Sequence, residues 1–245
     1  ATVLANSDED PALQRQMIAS LVEHGVSGFI ISPSYGDEAA TLEVLDAANT
    51  PTLQVFRTLE RDGATFPVLT PDYLTGGRIA AEHLLQQGCK KIAFLGGLDG
   101  RPVTHERMQG YLDVLHEHGQ EPLIFTGQST RAFGKSMATT LQDAYPDVDG
   151  AICFNDLVAL GVLSACPALG ITAGRDLRIV GFDDIEEAQD SYPPLTTVRC
   201  NIPDFAASTA RQMVDWIKDG KRPTASARSP VHLVVRASTG AEHHE

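Results

Sequence analysis

Short apolar runs alternate with longer stretches in which apolar residues recur every three or four positions, and the alternation persists almost from end to end. The short runs read as strands and the amphipathic stretches as helices packed on them. Residues 3–5 predict a strand, after which Asn6, Ser7 and Asp8 offer caps, and Pro11 suits the first turn of a helix that Gly25 stops. Residues 28–32 predict the next strand, 38–48 a helix, 52–56 and 68–69 two strands, 76–87 a helix closed by Gly88, and 92–95 a strand. After Gly96-Gly97 the alternation restarts with a helix over 104–118, a strand over 123–125, a helix over 132–143, a strand over 151–154, a helix over 156–166 and a strand over 178–182. A helix over 204–218 and a strand over 231–236 follow both arrays. The expected class is α/β with parallel sheets. Two successive arrays exceed one sheet of ordinary width, so two Rossmann-like lobes are expected, joined by three crossover segments near residues 97, 200 and 229. The first lobe would comprise 1–97 with 200–229, and the second 98–199 with 230–241.

Two strands of the second array end abruptly in polar side chains: Cys153-Phe154 runs into Asn155-Asp156, and Ile179-Val180-Gly181-Phe182 into Asp183-Asp184. Both therefore deliver amides and carboxylates to the carboxyl edge of a parallel sheet, where open α/β sheets bind ligands. Asn155 and Asp156 suit either ligand contact or helix capping. The adjacent acids Asp183 and Asp184 repel one another, and a ligand hydroxyl or an arginine would relieve them. Arg107, one turn into a helix, could bond an anion or vicinal hydroxyls with its fork, or stand exposed on the helix surface.

Composition narrows the function classes. The 245 residues are 42% apolar, ordinary for a globular chain. Nineteen Lys and Arg stand against 32 Asp and Glu, a formal charge of -13, which repels phosphate backbones, so this chain should not grip DNA by itself. Cys89, Cys153, Cys166 and Cys200 form no CxxC pair, which points away from a zinc site or a disulfide framework and toward a reducing cytoplasm. No apolar run is long enough for a membrane span, and no leader is visible. There is no GxSxG, Walker loop or HExxH. Gly96-Gly97-Leu98-Asp99-Gly100 follows a strand without the dinucleotide fingerprint; His116 and His118 face different sides of their helix; Glu186, Glu187 and Asp190 read as a solvated acidic loop. No metal, cofactor or catalysis is expected.

The strings Asn155-Asp156-Leu157-Val158-Ala159, Ile179-Val180-Gly181-Phe182-Asp183-Asp184, Pro193-Pro194-Leu195-Thr196-Thr197-Val198 and Arg236-Ala237-Ser238-Thr239-Gly240, with Arg107-Met108-Gln109-Gly110-Tyr111, resemble the effector-binding core of the LacI/GalR family of bacterial transcriptional regulators. The resemblance covers residues 1 to about 240. It implies a type I periplasmic binding protein-like fold that holds a sugar, sugar acid, sugar phosphate or nucleoside between two lobes. It also implies a homodimer, and operator DNA reached only through a helix-turn-helix headpiece upstream of Ala1. A first strand and helix of the amino-terminal lobe would also be expected upstream, and residues 242–245 read as an added tail.

By the same resemblance, Asp183 and Asn155 hold ligand, with Asp184 a structural neighbour and Asp156 the helix cap. Arg107 faces them across the cleft, and Arg101 and Cys200 line the cleft or hinge. In the first lobe Arg57 falls where sugar-binding relatives carry an Asp-Arg pair; Phe56 replaces the acid, a departure from a simple pentose or hexose pose. Ser32, Tyr35, Asp72 and Tyr73 suit ligand contact or loop capping equally. Two other classes share the sheet: a periplasmic solute-binding protein of a transporter, and an enzyme, which would need a nucleophile with a paired base.

Overall fold

The structure is a computed structural model that describes residues 1–59 and 66–240; the proposed tail at 242–245 lies outside the described residues. In chain order the elements are α1 (Pro11–Glu23), β1 (Phe29–Ile31), α2 (Glu38–Ala48), β2 (Thr52–Val55), β3 (Val68–Pro71), α3 (Tyr73–Gln86), β4 (Ile92–Leu95), α4 (Pro102–Glu117), β5 (Leu123–Phe125), α5 (Arg131–Ala144), β6 (Gly150–Cys153), α6 (Asp156–Ala165), β7 (Arg178–Asp183), α7 (Glu186–Asp190), β8 (Thr196–Arg199), α8 (Ile202–Asp219), β9 (Ser226–Ser229) and β10 (His232–Val234), with short 3-10 turns after α6 and β10. The chain divides into two compact units, Ala1–Pro71 with Ile202–Ser229 and Asp72–Asn201 with Pro230–Glu245.

The first unit is a four-stranded parallel sheet in the order β1-β2-β3-β9. Successive side chains alternate across a sheet, so Phe29 and Ile31 meet Ile18 of α1 and Leu42 and Leu45 of α2 on one face, while Leu53, Val55 and Leu69 meet Phe205 and Met213 of α8 on the other. Gln54 is buried within β2 and is satisfied there: its side chain accepts from the Leu59 amide at 2.6 Å and donates to the Phe66 carbonyl at 3.3 Å.

The second unit is a six-stranded sheet in the order β10-β8-β7-β6-β4-β5, parallel except for β10. Ala93, Leu95, Ala151, Cys153 and Ile179 pack under α5 and α6, and Ile92, Phe94, Ile152, Val180 and Phe182 under α3 and α4. Each helix pair touches backbone to backbone through glycine. A Cβ on Gly77 or Gly110 would overlap the carbonyl of Arg107 or Leu74 across α3 and α4, and one on Gly134 or Gly161 the carbonyl of Val158 or Arg131 across α5 and α6. That closeness seats the amino end of α4 against the sheet edge.

The structure corrects the sequence reading in four places. Residues 3–5 form no strand, and Leu4 is 96% exposed. The first crossover falls at residue 71, not 97, because β4 pairs with β5 and β6 and α3 packs on α4, so both belong to the second unit. The acidic stretch around Glu186 is a short helix, α7, with Ala188 buried. Strands β8 and β9 were not anticipated.

Candidate functional site

At the carboxyl edge of the six-stranded sheet, β7 ends in Asp183, Phe154 follows β6, and α4 brings Arg107 in from above. The side chain of Arg107 is only 7% exposed. Its Nη2 donates to Asp183 Oδ1 at 3.0 Å and its Nη1 to the Phe154 carbonyl at 2.5 Å. The guanidinium carbon lies 3.8 Å from the ring centroid of Phe182, 4.7 Å from that of Phe154 and 4.7 Å from that of Tyr73. A planar, weakly hydrated cation is the group that such rings stabilise. Its Nε is buried with no hydrogen-bond partner among the described residues.

Charge and burial compete at this pair. Burial pushes the Asp183 carboxyl above the usual range, and Arg107 acts against that push. Burial would lower Arg107, and Asp183 beside it holds the guanidinium above its ordinary value. Burial also raises the Tyr73 phenol and lifts the Cys200 thiol to about 12, so both are neutral near pH 7. The Asp183 side chain keeps 35% of its surface open. A carboxylate with one oxygen on an arginine and the other toward solvent can accept hydroxyl donors from a polar ligand.

The backbone around the acid is unusual. Asp183 has φ 110° and Asp184 φ 57°, left-handed values that cost a non-glycine residue roughly 1–2 kcal/mol each. Asp184 points away from Asp183's partner and is clamped by Arg236, whose Nη2 lies 2.7 Å from Asp184 Oδ1, and by Arg199 Nε. Arg236 also donates to the Leu195 carbonyl at 2.7 Å.

The helix cap expected at Asp156 is Asn155 instead. Asn155 is the N-cap of α6 and its Oδ1 accepts from the Val158 amide at 3.0 Å. Asp156 is fully buried; its Oδ1 accepts from the Thr197 hydroxyl at 2.6 Å and its Oδ2 from the Ile185 amide at 2.9 Å. Burial pushes its carboxyl up to about 7, against the pull of both hydrogen bonds. Asp72 caps α3, accepting from the Thr75 amide at 3.1 Å and the Thr75 hydroxyl at 2.9 Å. Arg101 occupies the N-cap position of α4 and makes no side-chain cap bond there.

The first unit gathers its own candidates after β1 and β2. Arg57 donates to the Pro33 carbonyl at 3.3 Å, pairs with Glu9, and lies 4.8 Å from the Tyr35 ring centroid. Ser32 is exposed, and its carbonyl accepts from Gln14 Nε2 at 3.3 Å. Arg57 and Tyr35 are thus brought together, while Ser32 takes part through its backbone. Within the second unit, Asp183, Arg107, Tyr73 and Cys200 converge with Phe154 and Phe182, two strand-end rings that the sequence reading did not name as site residues. Among the described residues no group of three or more His, Cys, Asp or Glu side chains could hold a metal ion, and no helix is long and apolar enough to cross a membrane.

Residues 81–239 match the family described as periplasmic binding protein-like domain. The chain belongs to that family. Within it, the chain is similar to the effector-binding cores of LacI-type regulators. It is 29% identical over 244 residues to the ribose operon repressor of Halalkalibacterium halodurans, covering 99% of this chain and 72% of the relative. It is similar in structure, at TM-score 0.85 and 25% identity, to a LacI family transcriptional regulator from Enterococcus faecium with bound ribose, covering 98% of this chain and 87% of that one. It is also 25% identical over 236 residues to the ribose import binding protein RbsB of Bacillus subtilis, covering 94% of this chain and 76% of the relative.

Proposed function

We propose that the chain is the ligand-sensing core of a LacI-type transcriptional regulator that binds a sugar or sugar derivative. The observation that carries the reading is the Arg107–Asp183 pair, caged by Tyr73, Phe154 and Phe182 at the carboxyl edge of the larger sheet. Tyr73 and Phe182 are buried against the guanidinium and hold it in place, and the arginine and acid suit the hydroxyls of a sugar. Within the second unit Asp183, Arg107, Tyr73 and Cys200 are the effector residues, with Asn155, Asp72 and Arg101 near them; Arg57, Tyr35 and Ser32 are the effector residues of the first unit. An effector that contacts one conformation more than another shifts their populations by that difference in contact energy. Through a homodimer bearing helix-turn-helix headpieces, that shift would alter the hold on a palindromic operator. The acidic chain itself has no charge suited to DNA.

A transporter's binding protein is the alternative that the likeness to an import protein favours. Against it, the chain has four free thiols, each buried, which suits a reducing cytoplasm. The relatives that are repressors by name support binding over catalysis. A thermal-shift screen of the chain against D-ribose, cellobiose, sugar acids, sugar phosphates and nucleosides tests the reading, because a ligand at 100 times its dissociation constant adds ~2.7 kcal/mol of stability. A stabilising sugar whose effect disappears in Asp183→Asn is expected. Silence across the panel, or a response unchanged in Asp183→Asn, would overturn the assignment.

A further inference from the structure

Asp183 presents its carboxylate from a backbone conformation that the sequence around it does not favour. Both Asp183 and Asp184 are left-handed, with no glycine between Gly181 and the turn, and the next residue, Ile185, starts the approach to α7. Something must hold that turn. Three attachments surround it: Arg107 on Asp183, Arg199 and Arg236 on Asp184, and Asp156 on the amide of Ile185. The first two act on side chains. Asp156 is the side chain seen bonded to the turn's own backbone, and its other oxygen is fixed by Thr197 of the neighbouring strand β8.

We infer that Asp156 is a positioning residue for the effector site: bridging β8 and the Ile185 amide from the start of α6, it holds the two left-handed residues so that Asp183 faces Arg107. The placement is enforced from below, since a Cβ on Gly181 of β7 would collide with Asp156 Oδ1, so that glycine leaves the room the carboxylate occupies. Full burial of a carboxylate is otherwise expensive, and both of its oxygens here are engaged. The charged and titratable groups around it are Cys153 on β6, Asp183 at the end of β7 and Asp184 just after it, and Cys200 after β8, with Arg107 reaching the same edge from α4. This inference rests on the reading of Asp183 as an effector residue only for its consequence in binding; the bridging role stands on its own geometry.

Amide hydrogen exchange on the unliganded chain reads that role without any effector. In Thr197→Val, which keeps the volume of Thr197 but removes the hydroxyl, and in Asp156→Ala, which removes both acceptor oxygens, exchange at Ile185 is expected to accelerate at least tenfold, while Val162 in α6 stays protected. Thr197→Ser, which restores the hydroxyl, is expected to return Ile185 to the parent rate. Unchanged exchange at Ile185 in Thr197→Val would overturn the inference, as would equal acceleration at Val162, which would mark a general loosening. D-ribose at millimolar concentration supplies the second readout: a thermal shift lost in Thr197→Val and recovered in Thr197→Ser is expected, and a shift intact in Thr197→Val would separate Asp156 from binding. If the parent chain does not respond to ribose, a stabilising member of the panel takes its place, and the exchange experiment decides the position of Asp156 in either case.

Discussion

Arg107→Ala and Asp183→Asn leave different things behind. The first opens a void among three rings and strips a partly buried carboxylate of its cation, and a broken buried pair costs about 3 kcal/mol or more. The second breaks the same pair but keeps the shape, opens no void and leaves the guanidinium on the Phe154 carbonyl, so it should cost less. Urea unfolding of the two variants is the check, and equal midpoints would contradict it. Asp156 adds a pH dependence. Its carboxyl is raised from 3.8 to about 7 on folding, so between those values the native state binds more protons than the unfolded one. The contribution is complete below pH ~4 and is lost as pH rises through about 7. The stability of the parent chain relative to Asp156→Asn should therefore fall between pH 5 and pH 8, and a constant difference would exclude the effect. Asp183 was legible because it follows immediately on an apolar strand; Arg107, inside α4, was named by resemblance and expected across a cleft, whereas it lies beside Asp183 within the same unit. That Asn155 and not Asp156 caps α6 was not legible, since both residue types cap helices well and local sequence does not say which one turns inward.

Among the elements, pattern predicted best where one apolar face meets one partner. Helix α8 shows it: Phe205, Thr209 and Met213 recur four apart and are buried together. Strands β8 and β9 escaped because they lack that signal. Strand β9 reads Ser226-Ala227-Arg228-Ser229 and is half-exposed at a sheet edge, and β8 buries Thr196 and Thr197 by giving their hydroxyls to Thr239, the Arg236 carbonyl and Asp156, partners more than 35 residues away or across the sheet. Glycines inside α3 and α4 carry the opposite lesson, because a weak helix residue there is the condition for backbone contact. Gly110→Ala should cost roughly 2 kcal/mol by forcing Leu74 away. Gly119→Ala, at φ 63° with nothing near its missing Cβ, should cost only about 1 kcal/mol. Denaturant titration of both gives the comparison, and a smaller loss for Gly110→Ala would mean the helices are free to part.

At the scale of the whole molecule, strand and helix alternation predicted two α/β units and a chain that passes between them three times. The first passage was misplaced by 26 residues, from 97 to 71, because α3 and β4 have the same pattern whichever sheet they join; membership is set by pairing, which local periodicity does not encode. The division has a practical consequence. The chain's single tryptophan, Trp216, lies in the first unit, and all four cysteines, buried as free thiols, lie in the second. Intrinsic fluorescence therefore watches one unit, and the rate of reaction with a thiol reagent such as 5,5′-dithiobis(2-nitrobenzoic acid) watches the other. Followed together through one urea titration, coincident curves mean the units melt as a single cooperative body, and separated curves assign each midpoint to its own half of the chain without a label or a mutation.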